Sequence, residues 1–408
     1  MTQSTKFNLT SSTFKADPYP TFARLRASNP VYRYASASNG QDTWLITRYA
    51  DAESILRDER FVKDPRNIDP SEQRTPPAES APSANDLMSM MMTDIDPPDH
   101  TRLRSLASQS FTPRMVEQWR ARVQEIADEL LDAVVEKGVM DLIEEFAFPF
   151  PMRVIAEIMG LPAEDSAMLH CWTKTIADAL GDPGAFEQAT QRLQDFYVYL
   201  WVLIDRKRSN PADDLVSRLI QAEDRGDQLS KRELVTMVFL LIVAGHDTTA
   251  SMIGNSMLAL LTHPGQMALL KDNPDPALLK TAVEEFLRYR SPFMQATFRW
   301  ASADIQIGAQ QIRRGDGVVL SLAAANRDEI AFTQADALDI TRRENAHLAF
   351  GKGIHYCLGA PLARLEGQVA IGTLLRRLPE IRLEVDPATL SWRPGSVALG
   401  LNHLPVVF

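Results

Sequence analysis

Phe350-Gly351-Lys352-Gly353-Ile354-His355-Tyr356-Cys357-Leu358-Gly359 is the stretch on which the reading of this chain turns. It holds one of only two cysteines. Glycines at 351, 353 and 359 let the backbone turn tightly and approach a flat ligand. Ala360-Pro361 follows, and then an apolar-periodic run from Leu362 to Leu378; proline in a first helical turn is a start signal. Cys357 therefore stands just before a helix N-terminus, where the helix dipole favours a thiolate. A lone thiolate in a glycine-rich loop suits an axial haem ligand. Taken alone, the cysteine reads as a free thiol in a turn; the ten-residue pattern favours the ligand.

Composition narrows the class. The 408 residues are 45% hydrophobic and 24% charged, ordinary for a soluble globular chain with a core of adequate size. The net charge of −10 argues against a general nucleic-acid binder. Two cysteines, Cys171 and Cys357, make at most one disulfide, which points to a reducing compartment. Met1 to Asp17 is polar and gives no expectation of a secretory signal or membrane anchor. The apolar run Leu234 to Ala244 is too short by itself to cross a bilayer. The expectation is a cytoplasmic protein.

Small strands gathered early and helices later predict a fold that is mainly α with small β-sheets. Residues 18 to 28 and Asp51 to Asp58 read as short helices. Val31 to Tyr34, Asn39-Gly40 and Thr43 to Thr47 read as a hairpin. Residues 64 to 86, with five prolines, form a long loop, and Leu87 to Met92 adds four methionines, which suit adaptable surfaces. His100 and Arg104, four apart on a predicted helix, can present two donors to one anion, although such a pair is commonly just solvated surface. Met115 to Lys137 is amphipathic and stops at Gly138. Further helices are predicted near 150–159, 164–178, 186–208 and 212–222, with His170 on a helix face and Cys171 as a small core residue. Ser230-Lys231-Arg232-Glu233 is a capping box opening a helix that runs to Leu261, a rod of about 45 Å. Its middle, Ala244-Gly245-His246-Asp247-Thr248-Thr249, puts an acid and two hydroxyls where partners or water are needed. A threonine there can instead bond back to the carbonyl four residues earlier. Asp275-Pro276 starts another helix, in which Glu285 and Arg288 can pair. Thr297 to Trp300, Val318 to Leu322 and the tail from Ile381 read as strands.

Phe-Gly-x-Gly-x-His-x-Cys-x-Gly resembles the haem-binding loop of the cytochrome P450 family, and every fixed position is filled here. Ala244-Gly245-x-Asp247-Thr248 and Glu285-x-x-Arg288 resemble further signatures of that family, in the right order along nearly the whole chain, in the manner of its soluble bacterial members. The resemblance implies one cytochrome P450 domain over residues 1–408, with the long helix crossing a haem b (iron protoporphyrin IX). It implies Cys357 as the iron ligand. His100, Arg104 and Arg299 are then propionate contacts, and Ala244, Phe350, Gly351, His355 and Gly359 are further cofactor contacts. Asp247 and Thr248 become a catalytic proton-delivery pair. Glu285, Arg288 and Arg327 form a structural trio, and the proline-methionine region is a lid over the haem.

The implied activity is monooxygenation of a hydrophobic small molecule by dioxygen. Two cysteines cannot hold a four-cysteine cluster, so a separate electron donor is expected, and the resemblance implies a ferredoxin or flavodoxin with its NAD(P)H-dependent reductase. Arg102, Arg114, Lys352 and Arg364 are candidates for a basic docking face. Met88, Met90, Met91, Phe293, Met294 and Val243 are candidates for an apolar pocket, and 292–296 and 395–399 for its lining. A monomer is expected, with no nucleic-acid or membrane partner. Two rivals remain open: a peroxide-driven haem-thiolate peroxygenase, and a non-enzymatic haem gas sensor or carrier.

Overall fold

The computed structural model describes residues 11–35, 42–69, 90–109, 111–179, 183–224, 229–273, 275–393 and 397–408. Its axis is the helix Lys231–Leu261, 31 residues long. The capping box forms as expected: Glu233 N donates to Ser230 Oγ at 3.3 Å, and Ser230 N donates to the Glu233 carboxylate at 2.8 Å. His263-Pro264 ends the helix and Pro264–Asp272 begins a new one. Length and composition alone would let this helix cross a membrane, but 67% of its most apolar window is buried inside the protein. Pro149–Met159, Ser166–Ala179, Pro276–Tyr289 and Ala360–Arg377 all pack on it. Gly367 lets Ala360–Arg377 lie close against its neighbours, because a Cβ there would meet Met252 Cε of the long helix at 2.8 Å and Val283 Cγ1 of Pro276–Tyr289 at 3.3 Å. The main hydrophobic core, including Phe150, Phe196, Phe239, Ile253 and Leu374, surrounds this helix.

Ten short strands occur among the described residues: β1 Val31–Ala35, β2 Asp42–Ile46, β3 Phe61–Val62, β4 Val139–Asp141, β5 Arg299–Ala301, β6 Ile305–Ile307, β7 Gln310–Ile312, β8 Gly317–Leu320, β9 Arg382–Leu383 and β10 Pro405–Val407. The largest sheet has the order β1-β2-β8-β5-β3. β1 and β2 pair antiparallel, as the hairpin reading requires, with Val31 opposite Ile46. β8 joins β2 in parallel. Trp44, Ile46, Ile55 and Val318 form a separate core beneath this sheet.

Four expectations need correction. Met115 to Lys137 is not one helix: Thr112 caps Pro113–Gln118, the chain breaks at Trp119, and Arg120–Asp132 and a 3-10 turn at Val135–Lys137 follow. Trp119 N bonds to Val116 O at 3.0 Å, a tightened i−3 bond that shifts the helix register there. Among its described residues the tail from Ile381 holds β9, β10 and two isolated bridges, Trp392 to Leu401 and Ala398 to Phe293, and the rest is not strand. Between the two strands Pro387 opens a 3-10 turn, because proline cannot donate to a ladder. Cys171 is exposed rather than core.

The third member of the Glu285–Arg288 group is Arg342, not Arg327. Glu285 and Arg288 are fully buried and joined by two bonds of 2.8 Å. Arg342 reaches the same carboxylate at 3.1 Å, and Arg288 also donates to the carbonyls of Asn326, Ala335 and Ala337. Arg327 instead bonds Tyr289 O and Asp336. The Asn39-Gly40 turn, most of the 64–86 loop, Met88, Gly181-Asp182 and Gly395 lie outside the described residues.

Candidate active site

A cavity of about 270 Å³ lies between the long helix and the cysteine loop. Its floor is set by hydrogen bonding along the loop. Cys357 N donates to Phe350 O at 2.9 Å, and Gly351 N to Leu348 O at 2.8 Å. Gly351 and Gly353 take φ of 68° and 72°, a region open to glycine at no steric cost. Gly353 also has no room for a side chain: a Cβ would lie 2.3 Å from Leu56 O. The chain then enters Ala360–Arg377 with Gly359 at its N-cap.

Burial pushes the Cys357 thiol above its ordinary pKa; the N–H groups of Gly359 and Ala360, with Arg104 and Arg364, pull it the other way. The helix N-terminus alone therefore does not supply a thiolate here. A coordinated metal ion would, because it deprotonates a ligating thiol outright. Behind the loop, Arg364 bonds Glu284 at 2.7 and 2.8 Å and Tyr356 Oη at 3.1 Å, and stacks 4.6 Å over the Phe350 ring. Burial pushes the Glu284 carboxyl up, but bonds from Arg364 and His347 outweigh it and hold the pKa near about 2.

The roof comes from the long helix: Leu240, Leu241, Ala244, Gly245, Thr248 and Thr249. Thr248 Oγ1 donates back to Ala244 O at 2.9 Å, the local bond noted as the alternative to a catalytic role. His246 points away; its Nε2 lies 3.1 Å from Phe148 O, and burial drives its pKa to about 3, so it is neutral. Asp247 also points away from the cavity. It is buried and ion-paired with Arg393 of the C-terminal loop.

The edge of the cavity gathers His100, Arg104, Arg299 and His355. The rings of His100 and His355 are 4.2 Å apart. His100 is buried, and its Nδ1 has no hydrogen-bond partner among the described residues. Burial first, and then mutual repulsion with Lys63, His100, Arg299 and Arg104, lowers His355 to about 2. Burial likewise lowers Arg299 to about 10, and Lys63 and Arg104 in the same direction. Lys63 Nζ donates to Thr297 Oγ1 and, at 2.8 Å, to Phe298 O. So many buried donors and positive charges in one place call for anionic oxygens from a ligand. A flat macrocycle bearing carboxylates fits this donor set, with a thiol at its face.

Ten of the eleven site residues nominated from sequence line the cavity; Asp247 does not. The apolar nominations fared less well. Phe293 lines the cavity, as do Pro292, Gln295 and Ala296, whereas Met294 is core packing. Met92 and Met252 supply the methionine surface, and Met90, Met91 and Val243 do not line the cavity. Three of the four docking candidates are occupied by carboxylates: Arg102 by Asp99 and Glu233, Lys352 by Glu53, and Arg364 by Glu284. Sequence reading missed Lys63, Arg393 and Glu366. Glu366 is buried at the cavity wall with an unpartnered Oε1, and burial raises its pKa well above the ordinary value. No local motif marks any of the three.

A family profile described as Cytochrome P450 matches residues 180–390. Cytochrome P450 CYP107DY1 of Priestia megaterium is 45% identical over 370 residues, 90% of this chain and 89% of that one. Vitamin D(3) 25-hydroxylase of Pseudonocardia autotrophica is 44% identical, covering 98% of this chain and 96% of its own. Among solved structures, the myxobacterial cytochrome P450 CYP267B1 in complex with myristic acid superposes with a TM-score of 0.90 at 42% identity, covering 98% of each chain.

Proposed function

The chain belongs to the cytochrome P450 family, and from that premise we propose that it is a haem-thiolate monooxygenase placing one oxygen atom of dioxygen on an apolar, largely aliphatic small molecule. Its cofactor is haem. When bound, haem supplies dioxygen binding and O–O cleavage, the latter favoured by a thiolate ligand. Cys357 ligates the iron. His100, Arg104, Arg299 and His355 pair with the propionates, which removes the unsatisfied donor and the mutual repulsion at the cavity edge. Ala244 and Gly245 leave space where the long helix passes the reaction site. Phe350, Gly351 and Gly359 shape the surface beneath. Leu240, Leu241, Ile155 and Phe293 exclude water and hold the substrate by apolar contact. Thr248 passes a proton supplied by Asp247, after its hydroxyl turns from Ala244 O.

The observation that carries this reading is a cysteine thiol on the floor of a cavity whose edge gathers His100, with its buried Nδ1 unpartnered among the described residues, and His355, Arg104 and Arg299. The choice of substrate class rests on the apolar walls, and on relatives named for vitamin D(3) hydroxylation and for a bound myristic acid. We further propose that residues 1–408 act as one domain, as a monomer in the cytoplasm, reduced by a ferredoxin or flavodoxin and its NAD(P)H-dependent reductase.

The test is turnover of a spectrally identified ligand under ¹⁸O₂ with a ferredoxin and its reductase. The label is expected in the product, with one NAD(P)H consumed per product. Product at the same rate from hydrogen peroxide alone would favour the peroxygenase. No oxidation with any donor would favour a gas carrier.

A further inference from the structure

We infer that Gln295 is the polar anchor for the substrate, and that the substrate is an apolar carbon skeleton carrying an uncharged oxygen group, a carbonyl or a hydroxyl. This rests on the monooxygenase reading of the main cavity proposed above.

The segment from Pro292 to Arg299 runs extended along the cavity wall. Side chains on an extended chain alternate between its two faces. Phe293, Gln295 and Thr297 line the cavity, while Met294 packs into a separate core with Phe22 and Leu399. The backbone is clamped from both sides. Met294 N donates to Val397 O at 2.8 Å and Ala296 N to Leu320 O at 2.9 Å; Phe293 is bridged to Ala398 and Gln295 to Ser321. Gln295 is therefore positioned before a ligand arrives, which lowers the ordering cost of binding.

Gln295 is 8% exposed, and its carboxamide has no hydrogen-bond partner among the described residues. A buried amide in that state is unfavourable until its N–H groups and its oxygen are met. Other polar side chains of the cavity are already engaged. Thr93 donates to Asp94 at 2.7 Å, Thr248 donates to Ala244 O at 2.9 Å, and Thr297 Oγ1 accepts from Lys63. His100, Arg104, Arg299 and His355 pair with the propionates in the reading above. Glu366 sits on Ala360–Arg377, the helix that leaves the cavity floor.

The cavity residues beside Gln295 on the same paired segments, Phe293, Ala296 and Leu322, are apolar. A lone amide in an apolar wall fixes the orientation of a ligand. It selects an uncharged group, because a carboxylate or ammonium there would lose its water without gaining an opposite charge. Holding one end of the substrate also decides which carbon faces the reaction site, so Gln295 bears on the position oxidised as well as on affinity.

The test uses haem-loaded full-length protein and Gln295→Met, which keeps the length of the side chain and removes its hydrogen-bonding amide. The probes are cyclododecanone, cyclododecane and dodecanoate, followed by the Soret shift on binding. Gln295→Met should weaken cyclododecanone about tenfold and leave cyclododecane and dodecanoate within about twofold. The infrared carbonyl band of ¹³C-labelled cyclododecanone bound to wild type should lie below its position in an alkane solvent, and should move back in Gln295→Met. With a ferredoxin and its reductase, cyclododecanone should give one main hydroxylated product in wild type and a broader set in Gln295→Met. If wild type does not bind cyclododecanone, if the variant weakens all three probes alike or none of them, or if dodecanoate loses as much as the ketone, the anchor is overturned; hydroxylation of cyclododecane then keeps the monooxygenase reading. If the affinities and the carbonyl band behave as stated but no probe is oxidised with any donor, Gln295 stands as a ligand anchor and the monooxygenase reading falls.

Discussion

Replacing Glu284 with glutamine removes one charge behind the cysteine loop and keeps the side chain's shape. Arg364 loses its charged partner, and with it the restraint on its bond to Tyr356 and its stacking over Phe350, the residues that frame Cys357. The depressed pKa of Glu284, about 2 against 4.5, corresponds to about 3 kcal/mol by linkage. Glu284 is 28% and Arg364 31% exposed, so screening brings the expected loss to about 2 kcal/mol at neutral pH. The sign follows from the folded pKa lying below the unfolded one. The contribution is complete above 4.5 and is lost as pH falls towards about 2. Urea unfolding of wild type and Glu284→Gln, followed by circular dichroism, should show the full difference at about pH 7 and less than half of it at about pH 3. A difference below about 0.5 kcal/mol at neutral pH, or one unaffected by acid, would refute the assignment of this ion pair as a support of the loop.

Thr248→Ala should divert reducing equivalents to peroxide with less product, while Thr248→Ser keeps most of the coupling; product-to-NAD(P)H ratios check it. Arg299→Leu should weaken haem retention by about tenfold to a hundredfold, the worth of one charge-assisted bond, read as faster haem transfer to a scavenger protein. Gly353→Ala must place a Cβ 2.3 Å from Leu56 O at a positive φ, so it should destabilise the folded protein by at least about 1–3 kcal/mol and release haem more readily. Thermal unfolding with visible absorbance reports both effects.

Elements bounded by local chemistry were legible in the sequence. Ser230 and Glu233 fix the start of the long helix and Pro264 its end because capping and proline exclusion act within one turn. The loop from Phe350 to Gly359 was legible because its glycines and cysteine each answer a local demand. Pairings between distant segments were not. Asp247 meets Arg393 from 146 residues away, and Glu285 meets Arg342 from 57 away, and nothing near either arginine announces its partner. The break at Trp119 escaped because the apolar period continues unchanged through it. Lys63 escaped because its meaning comes from Thr297 and Phe298, which β3 and β5 bring beside it.

The central claim is that Cys357 ligates haem iron as a thiolate. Purified, haem-loaded protein, reduced and exposed to carbon monoxide, should show the strongly red-shifted Soret band of a thiolate ligand, and Cys357→Ala should lose that band. A wild-type spectrum without the shift, or a Cys357→Ala protein that retains it, would contradict the account.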